Sequence, residues 1–172
     1  DGKDYYKMQD MTTALCSFVP TATTNDNNKE IQLVDTRDGK TYWVSKLKDG
    51  KCWMTQNLAL SDTTINYTNS NLPAGASYTV PESSTDGWCT ERTEACLNTE
   101  NVLDSGNTEH PEYGTYYSWK AATAGYGTYS STSSNISYSV CPKGWRLPTG
   151  GASGAFQGLV NAGYNTTALM QS

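Results

Sequence analysis

Cys141-Pro142-Lys143-Gly144-Trp145-Arg146-Leu147-Pro148-Thr149 joins two prolines, a glycine, an indole and a guanidinium in one short segment. Proline fixes backbone angles and glycine permits a tight approach, so the segment reads as a rigid arch. Its indole offers a large burial surface and an N–H that needs an acceptor. Arg146 can lie over an aromatic face or bridge a carboxylate. These residues are structural parts, not an active-site motif. The reading makes Trp145, Trp53 and Trp119 core anchors, with Arg146 beside them. If Trp145 is fully buried, truncation to Ala costs about 3 to 5 kcal/mol.

Two further segments precede the arch: Gly50-Lys51-Cys52-Trp53-Met54-Thr55-Gln56-Asn57-Leu58 and Tyr113-Gly114-Thr115-Tyr116-Tyr117-Ser118-Trp119-Lys120-Ala121-Ala122. In this order the three resemble the Fibrobacter succinogenes major paralogous domain (FISUMP) family, with the match running from Val34 to Tyr164. The resemblance implies an α+β, C-type-lectin-like fold: a small antiparallel sheet, short helices and long disulfide-stapled loops. It also implies a bacterial extracellular or cell-surface interaction or structural module, and it does not imply catalysis. Family domains continue past the proline-rich arch into a tryptophan- and serine-rich half ending on a cysteine-bearing strand, and this chain is expected to lack that half.

The chain has 172 residues, 12 Lys plus Arg and 17 Asp plus Glu, for a net charge of −5. That length fits one domain with a real core. The acidic balance and the lack of a basic run set nucleic acid aside as a partner. Aromatics reach 11% while charged residues stop at 17%, which is too much ring surface for a disordered polymer. No stretch is apolar enough to span a bilayer, and the start does not resemble a signal peptide, so an exported chain would be a mature or trimmed form.

Five cysteines stand at 16, 52, 89, 96 and 141, without C-x-x-C spacing, and His110 is the single histidine. Such a set favours disulfides in an oxidising compartment over a metal. The expected pairs are Cys89 with Cys96, closing a small loop, and Cys16 with Cys52, tying the N-terminal segment to a central strand. Cys141 is left over. The family resemblance implies a partner near a missing C-terminal end; a buried free thiol is the alternative.

Along the chain, Met8, Met11, Leu15 and Phe18 fall at helical steps and predict an amphipathic helix over residues 4–18, ended by Pro20. With the polar connection that follows, it makes residues 1–30 an N-terminal segment packed as one unit with the domain at 31–172. Residues 31–36 and 41–47 are rich in β-formers around Asp38-Gly39, and Asp49-Gly50 leads to a third strand at Cys52. Within 41–47, Tyr42, Val44 and Lys46 should face one way and Trp43, Ser45 and Leu47 the other. Residues 61–114 and 125–139 read as polar loops, and residues 116–124 as a short helix or a strand running into a turn. After Pro148, Ser153 is expected to cap a helix carrying Phe156, Leu159 and Val160 that stops at Gly163.

Candidate chemistry is sparse. His110 sits in a turn-like segment, and no G-x-S-x-G elbow occurs. Glu91, Glu94 and Glu100 lie in polar surroundings unlike a glycosidase pair. Asp35 and Asp38 read as turn formers around Gly39. No metal or cofactor is expected, with calcium through Asp62, Asp86 and Asp104 the one candidate; there is no EF-hand spacing. The leading expectation is an adhesion or recognition domain whose loops present Tyr67, Tyr78, Trp88, Tyr126 and Tyr129, since tyrosine gives contact area at low entropy cost. Its partners would be other surface proteins, glycans or copies of itself. A rival is a structural subunit of a filament, pilus or layer whose open sheet edges a neighbour covers. A carbohydrate-binding accessory module is the third reading.

Overall fold

Two Asp-Gly turns build the central sheet. Gly39 and Gly50 hold φ of +74° and +77°, angles open to glycine and strained for other residues. They join β1 (Ile31–Val34), β2 (Thr41–Lys46) and β3 (Cys52–Met54) into an antiparallel sheet of order β1-β2-β3. In this computed structural model the described residues are 6–21, 30–60, 62–81, 103–104, 115–127 and 135–164. Tyr42 pairs with Leu33, and Trp53 with Ser45. Tyr42 and Val44 turn to the core while Trp43 is 41% exposed, as strand alternation requires.

The N-terminal segment is not one helix. A 3-10 turn at Met8–Asp10 stops where Met11 and Thr12 become extended, and α1 (Thr13–Phe18) starts anew. The Thr12 hydroxyl accepts from the Leu15 amide, which caps α1 and breaks the longer helix that the apolar spacing predicts. Gln9 reaches out of the turn to Asp35 and Thr36. Met8 is therefore fully buried, whereas Phe18, on the same predicted stripe, is 82% exposed. Bridges Lys7–Val34 and Thr21–Lys46 join both ends of this segment to the sheet.

Part of the region predicted as loop is a hairpin, β4 (Thr64–Asn66) with β5 (Ser77–Thr79), which buries Ile65 completely. Three-residue strands amid Asn and Thr give no readable periodicity. Next, β6 (Leu103–Asp104) pairs with β7 (Tyr116–Tyr117), and α2 (Trp119–Ala122) follows, with the Ser118 hydroxyl accepting from the Ala121 amide. Finally, α3 (Ala155–Asn161) follows the arch. Its N-cap is Gly154, not Ser153: the Ala155 amide donates to the Thr149 carbonyl and hydroxyl, so the cap comes from the arch. The helix ends on Gly163, whose amide donates to the Val160 carbonyl.

Among the described residues the core is Tyr42 set in aliphatic side chains, and it is not built on indoles. Its largest fully buried side chains are Tyr42, Met8, Leu33, Leu60 and Ile65. Tyr42 and Tyr117 clamp the chain after β3: the Tyr42 hydroxyl accepts from the Ala59 amide, and the Tyr117 hydroxyl accepts from Leu60 and donates to the Leu58 carbonyl. Burial raises both phenols well above their ordinary pKa. The three indoles flank this centre, each half-buried. Trp145 packs on its edge and donates to the Met8 carbonyl at 2.8 Å; Trp53 donates to the Asp49 carboxylate and meets the Phe156 ring at 6.0 Å. Trp119 Nε1 is buried without a hydrogen-bond partner among the described residues. Arg146 is exposed and, among the described residues, donates only to the Leu147 carbonyl, so it is not an anchor.

Candidate functional site

The cation that does anchor the fold is Arg37. Its Nε donates to both Asp35 carboxylate oxygens at 2.9 and 3.0 Å, and a terminal nitrogen reaches Oδ2 at 2.6 Å. The other terminal nitrogen donates to Ser70 Oγ at 3.0 Å and to the Val140 carbonyl. Gln9 donates to the same carboxylate at 2.8 Å. Both charged side chains have zero exposure. Burial alone would raise the Asp35 pKa, but the Arg37 hydrogen bonds and charge, with Gln9, hold it below the usual carboxylate value. A carboxylate this fully satisfied is a poor proton acceptor. Its work is mechanical: it fastens the N-terminal turn, the β1–β2 turn, Ser70 and the start of the arch together. Asp35 is thus a turn former, its carboxylate accepting from the Arg37 amide, but a fully buried one with a second role that the sequence did not show. Asp38 does hold the turn, accepting from the Lys40 amide and the Tyr42 hydroxyl.

Beside this knot lies a cleft of about 1070 Å³, walled by α1, β3, the arch and the start of α3. Cys16 and Cys52, one of the two expected pairs, form a disulfide with Cα atoms 5.8 Å apart and fix α1 to β3 along that wall. Cys141 also lines the cleft and is a buried free thiol. Burial raises its pKa, with a hydrogen bond involving Ser139 and the charge of Arg37 acting the other way. The thiolate, which is the nucleophile, is therefore disfavoured. Cys89 and Cys96 lie outside the described residues.

A second surface carries exposed tyrosines. Tyr126 and Tyr138, 48% and 38% exposed, stand with ring centroids 5.2 Å apart. Their segments are stitched by the Val140 amide to the Ala122 carbonyl and the Ser139 amide to the Asn71 carbonyl. Tyr67 is also exposed, and its carbonyl accepts from Lys143. Tyr78 is half-buried and packs against the core, and its hydroxyl is buried without a partner among the described residues, so it is a packing residue and not a contact tyrosine. Trp88, Tyr129, His110, Glu91, Glu94, Glu100 and Asp86 lie outside the described residues. Asp62 is exposed, and no group of three His, Cys, Asp or Glu that could hold a metal ion occurs among the described residues. Nor is any helix there long and apolar enough to cross a membrane.

Arg37, Gln9, Ser70 and Tyr138 were not singled out by the sequence. Arg37 alone left a trace, in Asp35-Thr36-Arg37-Asp38-Gly39, where a cation two residues after an acid can fold back on it. Comparison of the chain with protein families, curated proteins and solved structures finds no match.

Proposed function

We propose that the chain is a non-catalytic extracellular recognition module of C-type-lectin-like build, which meets surface glycans or surface proteins through exposed tyrosines. The observation that carries this reading is the Tyr126–Tyr138 pair, held in solvent on segments that backbone hydrogen bonds fix. Rings kept exposed and preorganised contribute contact area with little entropy left to lose. The Cys16–Cys52 disulfide suits an oxidising, extracellular setting. The three segments that resemble the FISUMP family support the same placement.

The test is binding of the chain to an array of surface glycans and to a panel of secreted and surface proteins. Saturable binding that Tyr126→Ala with Tyr138→Ala weakens by about tenfold or more, at an unchanged melting temperature, is expected. Binding indifferent to both rings would overturn the assignment. Turnover of any bound glycan would overturn the non-catalytic reading.

A further inference from the structure

Among the described residues β3 ends the sheet, and Cys52, Trp53 and Met54 line the cleft. Trp53 is the hydrogen-bonded partner of Ser45, and the flanking bonds, Thr55 amide to Trp43 carbonyl and Leu47 amide to Lys51 carbonyl, keep the same alternation. The intervening Cys52 and Met54 must then turn their N–H and C=O groups away from β2. Neither finds a backbone partner among the described residues. Open edge groups of this kind are a template for another strand.

The lining of the cleft gives that strand a chemistry. Met11, Met54, Leu58, Trp145 and Leu147 supply apolar surface. Lys46, Lys51 and Arg146 supply the charge, and among the described residues no Asp or Glu lines the cleft, although the whole chain carries a net charge of −5. None of the three cations pairs with a carboxylate among the described residues. Lys46 donates to the Ser17 carbonyl and Arg146 to the Leu147 carbonyl, which leaves each with further donors.

We infer that the outer edge of β3 is a docking site for an extended peptide strand of another protein, one that alternates apolar and acidic residues. Its backbone pairs with Cys52 and Met54, its apolar side chains fill the cleft, and its carboxylates meet Lys46, Lys51 and Arg146. Main-chain bonds supply affinity in such strand addition, and alternate side chains supply specificity. This site is separate from the tyrosine surface, and the two assignments can fail independently.

The probes are three short blocked peptides: one alternating valine with glutamate, one alternating valine with lysine, and the glutamate peptide N-methylated at alternate amides. Titrated into the full chain, the glutamate peptide should bind, with the Cys52 and Met54 amides gaining protection from hydrogen exchange. The lysine and N-methylated peptides should bind at least about tenfold more weakly. Lys51→Glu with Arg146→Glu, both at exposed positions, should weaken the glutamate peptide about as much without lowering the melting temperature, while Tyr126→Ala with Tyr138→Ala should leave it unchanged. Equal binding of the two charge types, binding that survives N-methylation, or no binding at all would overturn the site. Protection of the same amides by self-association in the absence of peptide would overturn the foreign strand in favour of a second copy.

Discussion

Removing the Asp35 carboxylate would strand Arg37 in the core with its charge uncompensated. Asp35→Ala should therefore lower stability by about 3 to 5 kcal/mol in urea unfolding, a cost typical of breaking a buried pair by deleting one partner. The same pair sets an acid limit. The unfolded carboxyl titrates near 3.8 and the folded one below it, so the stabilisation is complete above that value and is lost as pH falls through the folded pKa. Urea midpoints measured from neutral pH downward should show this loss, with a shallower acid limb in Asp35→Asn. Only the local half of the arrangement was legible: Asp35 does accept from the Arg37 amide two residues on. Ser70 and Val140, the partners that bury it, stand 33 and 103 residues from Arg37, and no local pattern announces such pairs. Cys141 was left over in the sequence, with a buried free thiol as one of its two readings, and that is the one the fold shows. As a buried thiol with a raised pKa, it should resist a maleimide reagent in the folded chain at neutral pH and react promptly once the chain is unfolded; equal rates would contradict its burial.

Elements formed where short-range rules agree with long-range packing. The β1–β2–β3 meander was legible because Asp-Gly turns and β-formers coincide. The N-terminal helix divided because a hydroxyl at Thr12 and the reach of Gln9 to Asp35 override helical spacing. At α3, Ser153 looks like the better cap, yet Gly154 occupies the position because the backbone of the arch crowds it. A Cβ on Gly154 would stand 2.4 Å from the carbonyl oxygens of Thr149 and Gly150. Gly154→Ala should thus cost about 1 to 3 kcal/mol in thermal or urea unfolding, even though alanine favours helix elsewhere. Trp145 is half-buried, so truncation should cost less than a core ring would. Its bond to the Met8 carbonyl can be isolated by Trp145→Phe, which should lose about 1 to 2 kcal/mol by leaving that acceptor unpaired.

Over the whole molecule, the sheet, the N-terminal segment and the arch meet around Met8: it is fully buried, and its carbonyl receives Trp145. The sequence indicated the parts of this assembly, with one Cys16–Cys52 crosslink, but placed the indoles at its centre, because ring size signals burial and says nothing about which neighbours arrive first. The crosslink spans 36 residues. In the chain-entropy account, a loop of that length contributes about 3 to 4 kcal/mol by restricting the unfolded chain. Replacing both cysteines with serine should lower the urea midpoint accordingly. In the folded state α1 is short and is held to the sheet by the disulfide, by Lys46 donating to the Ser17 carbonyl and by the Thr21–Lys46 bridge. Loss of the covalent tie should loosen this wall of the cleft before the core yields. Strand binding at β3 should then weaken under conditions where near-ultraviolet circular dichroism still reports an intact core, while recognition through Tyr126 and Tyr138, on the segments tied by Asn71 and Ala122, persists. Simultaneous loss of both activities with the core signal would mean that cleft and scaffold unfold as one unit.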